Sequence, residues 1–353
     1  MNQNQINNPL TPPLQKAGKE EAPSFAKGSN ERKVKKVLIC GATGFIGRNF
    51  TEQLSQRQDL EVHAVHYQRP SYPCPRIIWH QADLRNPEDV ERVVTGMDII
   101  IQAAATTSGA KDIVSRPYIH VTDNAIMNSY LFRAAFAHKV KHVIFFSCTV
   151  MYPSSSTALK ESDFDANKPL HPRYFGVGNT KLYIEKMCEF YAGIAETKFT
   201  AIRHSNIYGA HDKFDLERSH VFGATITKVM TAQDKVVVWG TGEEERDLLH
   251  VDDLIRFVEL VLQKQPEKYR LYNCGYGQAI PIKDLVTKIA SHSGKTLKIE
   301  HDLSQPTIKT SLFLDCSLAK QELGWDVTVD LDRGIKKTLA WWQEHVGAGV
   351  SVE

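Results

Sequence analysis

No run of apolar residues in this chain of 353 comes near the roughly 18 that a membrane-spanning helix needs, so no membrane segment is expected. Its six cysteines, Cys40, Cys74, Cys148, Cys188, Cys274 and Cys316, are scattered, with no CxxC pair. That favours free thiols in a reducing, cytoplasmic setting over a disulfide or zinc framework, and no metal site is expected. A net charge of only +2 gives no field for a polyanion, so nucleic acid is not an expected partner. No internal repeat is visible. Residues 1–33 are rich in Asn, Gln, Pro and charge and lack both apolar periodicity and the apolar stretch of a secretory signal. They read as a disordered tail, with a partner-binding arm as the alternative, and a second short tail is expected at 346–353.

What is there is an ordinary globular composition, 42% hydrophobic and 24% charged, long enough for two domains that share a cleft. A short apolar strand, Val37 to Cys40, turns through Gly41, Gly44 and Gly47 into a helical pattern that opens with Phe45 and Ile46. The spacing is GxxGxxG. One glycine permits the sharp turn, the next lets the backbone approach a pyrophosphate, and the third allows close helix–strand packing. The helix N-terminus adds free amides and a positive dipole end. Strand and helix patterns then alternate through "LEVHAVHY", "RIIWHQADL", "EDVERVVTGM", "DIIIQAAA", "NAIMNSYLFRAAFAHKV" and "KHVIFFSC". Alternation of this kind predicts a parallel, doubly wound Rossmann sheet with ligands beyond the carboxyl ends of the strands. Small residues at Ala103 and Ala104 leave room for a cofactor against the backbone.

The end of the second strand usually decides the adenosine ribose. An acid there hydrogen-bonds the 2′-hydroxyl of NAD, whereas arginine accommodates the 2′-phosphate of NADP. Here stand His66, Gln68 and Arg69, with Arg48 just past the last motif glycine and no carboxylate. The expectation leans to NADP over NAD.

Over about residues 34–343, the stretches "GATGFIG", "SRPYIHVTDNAIMNSYLFRAA", "SNIYGAHDKFDLERSHV", "VVVWGTGEEERDLLHVDDL" and "LGWD" resemble the extended short-chain dehydrogenase/reductases of the nucleotide-sugar class. Within that class the chain is most similar to the GDP-L-fucose synthetases, which are bifunctional epimerase-reductases. The resemblance implies that Lys181 holds the nicotinamide ribose and that Asp83 and Leu84 lie near the adenine. Asn124 and Asn128 would sit on a helix lining the site, and Asn206 would open the substrate-contacting segment. His220 would be an acid–base group for epimerisation, and Arg246 would clamp the nucleotide diphosphate. It also implies a homodimer built across the helices at 124–140 and 180–195. Taken residue by residue, a lone His220 after a charged loop also fits a solvated side chain, and Asn206 fits a simple turn residue.

By the same resemblance, two catalytic positions have changed. The family's tyrosine, four residues before Lys181, is Val177, and the hydroxyl four residues before Tyr152 is Cys148. A thiol beside Lys181 is expected to titrate nearer neutrality and to serve in place of the tyrosine, with Thr149 or a looped-back Tyr174 as other substitutes. A small buried residue at a strand end is the bland alternative for Cys148.

Residues 34–205 are thus expected to form an NAD(P)-binding Rossmann domain. Residues 206–345 are expected to be mainly substrate-binding, with strands returning to the first sheet. Helices are expected within "HVFGATITKVM", "DDLIRFVELVLQK" and "DLDRGIKKTLAWWQEHV", a strand in "KVVVWG", a strand, turn and helix in "LYNCGYGQAIPIKDLVTKIASHSG", and a further helix over 311–326. The functional expectation is a nucleotide-sugar oxidoreductase or epimerase, most readily of a GDP-sugar, working through a 4-keto sugar. A binding-only sensor or partner subunit, or a dehydratase, is the alternative.

Overall fold

The computed structural model describes residues 34–106, 116–216, 219–304 and 311–347. Both expected tails, apart from residues 346 and 347, lie outside them. Alternating apolar strands and amphipathic helices give β1 (Lys35–Cys40), α1 (Phe45–Leu54), β2 (Leu60–His66), β3 (Ile77–Gln81), α2 (Pro87–Val94) and β4 (Ile99–Gln102). These are followed by α3 (Thr122–Ala137), β5 (His142–Phe146), α4 (Phe175–Ile194), β6 (Lys198–His204), β7 (Asn206–Tyr208), α5 (Val221–Thr231) and β8 (Lys235–Trp239). The remainder comprises β9 (Glu245–Arg246), β10 (Leu248–His250), α6 (Val251–Lys264), β11 (Tyr269–Cys274), β12 (Ile280–Pro281), α7 (Ile282–His292), β13 (Lys298–Asp302), α8 (Ser317–Leu323) and α9 (Leu331–His345).

Seven strands make one sheet in the order β11-β6-β5-β4-β1-β2-β3, every pair parallel. Because both faces are covered, the central strands are apolar throughout, as in the fully buried "HVIFF" of β5. On one face Ile39, Phe50, Ile144 and Ile202 pack with Leu254, Phe257 and Trp325. On the other, Leu38, Ile100 and Phe145 pack with Leu131, Phe132 and Ile184. A third core belongs to residues after 206, with Tyr208, Phe222, Ile226, Leu285 and Trp342 at its centre.

Two strands escape the periodicity. β6 carries Lys198, Thr200, Arg203 and His204, whose polar side chains hide the pattern, and it is nonetheless central to the sheet. β13 reads as charged loop and becomes a strand only by pairing with β8. The segment 311–326 yields α8 alone, and Leu314 bridges to Leu159 in extended conformation before it.

β6 also explains how the sheet holds α4. Arg203 donates from Nε and Nη2 to the carboxylate of Glu185 on α4, at 3.0 and 2.7 Å, with both side chains almost fully buried. Ser147 Oγ donates to the same carboxylate at 2.6 Å, and Arg203 Nη1 reaches Tyr152 Oη at 3.0 Å. Tyr152 Oη in turn donates to Asn273 on β11. Such a pair is costly to break, because the surviving charge stays buried without its counter-ion. Arg203→Met should therefore lower unfolding free energy by about 3–5 kcal/mol, read as a shift in the urea midpoint. A shift equivalent to under about 1 kcal/mol would show that the pair does not anchor α4.

Candidate functional site

The glycine turn packs tightly on neighbouring backbone at two of its glycines and leaves open space at the third. Gly41 lies at φ +74°, and a Cβ there would stand 2.7 Å from Ala104 Cα. At Gly47 a Cβ would come within 2.1 Å of the Gly41 carbonyl oxygen. Gly44 differs: a Cβ would meet only that carbonyl, at 3.3 Å, a tight approach that leaves the turn intact. Gly44 caps α1 without a side-chain hydrogen bond, and no acid occupies the first turn, so the α1 amides remain available to an anion. Phe45 and Ile46 pack beside the core, and Ala103 follows β4 with its amide on the Cys40 carbonyl.

A cleft of about 340 Å³ opens beside this turn, lined by Thr43, Gly44, Arg48 and Arg69, with Trp341 on its far side. Arg69 donates from Nη1 to the Thr43 carbonyl at 2.7 Å, which stitches the loop after β2 to the glycine turn. Arg48 stacks over Tyr72 at 4.1 Å and pairs with Glu52 at 2.8 Å. His66 binds the Arg69 carbonyl through Nδ1 at 3.2 Å. Both arginines thus line the cleft at the turn, Arg48 held by Tyr72 and Glu52 and Arg69 by the Thr43 carbonyl. Asp83 follows β3 and is held below the usual carboxylate range, chiefly by its hydrogen bond with Arg85. Leu84 is buried beside it.

The carboxyl ends of β5 and β6 gather the remaining groups. Lys181, on α4, donates from Nζ to the Phe146 carbonyl at 2.8 Å and lies 4.7 Å from the Phe145 ring centroid. Burial lowers its pKa, against the opposing charges of Cys148 and Glu185. Val177 and Lys181 lie one turn apart on the same unbroken helix, because α4 begins at Phe175. The looped path imagined for Tyr174 does not occur: a 3-10 turn, Pro172–Tyr174, runs straight into α4. Tyr174 instead lies in the electrostatic neighbourhood of Arg246.

Cys148 corrects an expectation. Burial raises the thiol's pKa more than Lys181 lowers it, so the lysine does not bring it toward neutrality. Thr149 sits next to it, half-buried, its carbonyl accepting the Tyr152 amide. Asn124 is buried and largely spent on structure. Its Nδ2 donates to the carbonyls of Thr106 and His120, and its Oδ1 accepts the Thr106 amide. Asn128 bonds Gln102 and the Asn124 carbonyl. Asn206 ties β7 to the Asp247 carbonyl. His220 occupies the N-cap position of α5 without a side-chain cap hydrogen bond and is exposed, and its pKa is lowered by surrounding protein first and then by Lys213. Arg246 is partly buried, donates to the Glu245 carbonyl at 2.7 Å, and has its pKa lowered by burial.

One site residue escaped the sequence reading. His204, the last residue of β6, lies with its ring centroid 6.1 Å from that of Phe146 and in the electrostatic field of both Lys181 and His220. Its position at the carboxyl end of a parallel strand is the signal that would have found it, had β6 been recognised. Among the described residues, no group of three or more His, Cys, Asp or Glu could hold a metal ion, and no helix is long and apolar enough to cross a membrane.

Known proteins carry the same plan. The chain is 27% identical over 316 residues to GDP-L-colitose synthase of Yersinia pseudotuberculosis, covering 87% of this chain and 97% of that one. It is 28% identical over 326 residues to GDP-L-fucose synthase of Escherichia coli K12, covering 88% and 97%. Among solved structures, UDP-glucose 4-epimerase of Thermotoga maritima with UDP-glucose superposes with a TM-score of 0.77 at 22% identity, over 88% of this chain and 99% of that one. Residues 37–275 match the NAD dependent epimerase/dehydratase family, and with the parallel sheet and glycine turn in place, the chain belongs to that family.

Proposed function

We propose that this protein is an NAD(P)-dependent oxidoreductase or epimerase acting on a nucleotide-diphosphate sugar, with a GDP-sugar in first place, through a 4-keto sugar. The observation that carries the reading is the placement of Lys181 Nζ on the Phe146 carbonyl, at the carboxyl end of β5 and in the sheet that carries the glycine turn. The names of the GDP-L-fucose and GDP-L-colitose synthases among its relatives support the GDP-sugar. A dinucleotide fits the residues present, since Gly41 and Gly47 let the turn close tightly on its own backbone, Gly44 leaves open space in front of it, and the α1 amides are uncapped. When bound, its nicotinamide supplies the acceptor or donor of a hydride at the sugar carbon.

In this reading Lys181 orients the nicotinamide ribose and lends positive charge to the site. Gly41, Gly44 and Gly47, with the first turn of α1, bind the pyrophosphate, while Asp83 and Leu84 border the adenine. Arg246 clamps the sugar nucleotide's diphosphate, and Asn124 and Asn206 border the substrate. His220 exchanges a proton at a carbon made acidic by the neighbouring ketone. Cys148 and Thr149 border the reacting sugar oxygen. Residues 206–345 supply most substrate contacts. Exposed Phe136, Tyr183, Phe190 and Ile194 on α3 and α4 favour a homodimer joined across those helices, and the unpaired thiols favour the cytoplasm. Val177, one turn before Lys181, favours a second reading, a nucleotide-sugar binder that has lost catalysis.

Three measurements test these assignments. Gly44→Val leaves the turn itself intact yet fills the open space in front of it, so dinucleotide binding should vanish in a folded protein. Unchanged affinity would remove the phosphate site. Arg48 and Arg69 line the cleft at the turn, and alanine at either should weaken NADP binding at least tenfold more than NAD binding. Equal losses, or tighter native binding of NAD, would reverse the preference. For the reaction, native protein with bound cofactor should turn over a GDP-4-keto sugar, and His220→Ala should lower that rate by about 100-fold. Native turnover near zero that rises by orders of magnitude in Val177→Tyr would establish the binder instead.

A further inference from the structure

β5 and β6 run parallel with Phe146 opposite Ile202, and the Ser147 amide continues the ladder to the Ile202 carbonyl at 2.8 Å. Two residues further along each chain stand Cys148 and His204. Since side chains alternate, His204 shares the face of Ile202, and its ring lies 6.1 Å from that of Phe146. The Phe146 carbonyl is the one that holds Lys181 Nζ. His204 therefore stands at the carboxyl end of β6, on the sheet face away from α4, beside the strand end whose carbonyl holds Lys181.

The tautomer of this imidazole is fixed by its surroundings. Nδ1 lies 2.7 Å from the Ser205 carbonyl, which can only accept, so Nδ1 carries the proton. Nε2 then presents a lone pair. The charged and titratable groups whose fields reach the ring are Lys181 from α4 and His220 from the start of α5. Both favour the neutral ring.

We propose that His204 is the proton-transferring group of this site, its Nε2 accepting the proton of the sugar hydroxyl during oxidation and returning it during reduction. The proposal rests on the oxidoreductase reading above. In the oxidising direction the hydroxyl O–H bond breaks and an N–H bond forms at Nε2. The released electron pair becomes the second carbon–oxygen bond as hydride leaves that carbon for the nicotinamide. Reduction reverses each change. Burial first, then Lys181 and His220, push the His204 pKa down to about 4 against the opposing Ser205 carbonyl. A base that weak suffices, because a hydroxyl whose carbon is losing hydride becomes a protonated carbonyl, which is a strong acid.

The pH dependence separates this base from a thiol. With His204, oxidation needs the neutral ring and stays level above about pH 5, whereas reduction needs the imidazolium and falls roughly tenfold per pH unit above that point. With Cys148, whose pKa is raised above its ordinary value, oxidation would still be climbing beyond about pH 8.5.

Ligand-free protein carrying 15N-histidine gives the first test, with the His204 signal identified by its loss in His204→Gln. Long-range proton–nitrogen spectra should show the Nδ1-protonated tautomer and a midpoint well below the ordinary value of about 6.5. The midpoint should rise in Lys181→Met, which removes a facing positive charge. An Nε2-protonated ring, or a midpoint indifferent to Lys181→Met, overturns the proposal. In the cofactor-loaded protein His204→Gln should lower kcat at least 100-fold while the Kd for dinucleotide and the KM for sugar nucleotide change less than threefold. Undiminished turnover in that variant, or native oxidation that climbs through pH 9, overturns this proposal alone. Absence of any turnover by native protein that binds the dinucleotide overturns it together with the functional reading.

Discussion

The ion pair between Arg203 and Glu185 is the constraint on which the rest of this site hangs. It joins the sheet to α4 from within, and each partner has neighbours that satisfy its remaining valences: Ser147 for the carboxylate, Tyr152 for the guanidinium. Glu185 lies one turn beyond Lys181 on α4, and Arg203 immediately precedes His204 on β6. The pair therefore fixes the spacing between the two elements that carry the lysine and the imidazole. Through Tyr152 and Asn273 it also reaches β11 and the segment around Leu159, so the edge of the sheet and the loop after β5 are tied to the same centre.

Around that centre, burial works against charge of either sign. Lys181, His204 and His220 are all driven toward their neutral forms, and the Cys148 thiol is driven the same way. Glu185, the nearby carboxylate, is already committed to Arg203. In such a medium the charge that Lys181 keeps interacts more strongly with an incoming anion than it would in water.

Much of the fold is legible in the residue pattern. The glycine turn, the strands before and after it, and the amphipathic helices declare themselves because their burial is decided locally, by period and by small residues. β6 does not, since Arg203 is buried only by virtue of Glu185, and no window of sequence shows that partner. β13 is hidden for a similar reason: its charged residues become a strand only through pairing with β8. At the site, Lys181 and the glycines stand out by motif, whereas His204 depends on knowing that a strand ends beside it. The state of Cys148 could not be read at all from its neighbours in sequence, because proximity to a lysine and depth of burial act in opposite directions.

β11 has a consequence for the way this chain is made. The seventh strand of the sheet comes from residues 269–274 and lies against β6, with the Ser205 amide on the Cys274 carbonyl. As the nascent polypeptide leaves the ribosome, six strands are available long before the seventh, and β6 meanwhile presents an open edge. Asn273, which completes the hydrogen bonding of Tyr152, arrives with that late strand. The seven-stranded sheet is thus finished only after most of the chain has been synthesised, and sequence-distant closure of this kind slows folding and lengthens exposure to aggregation. The sheet's last edge therefore waits on a strand that lies more than two hundred residues beyond its first.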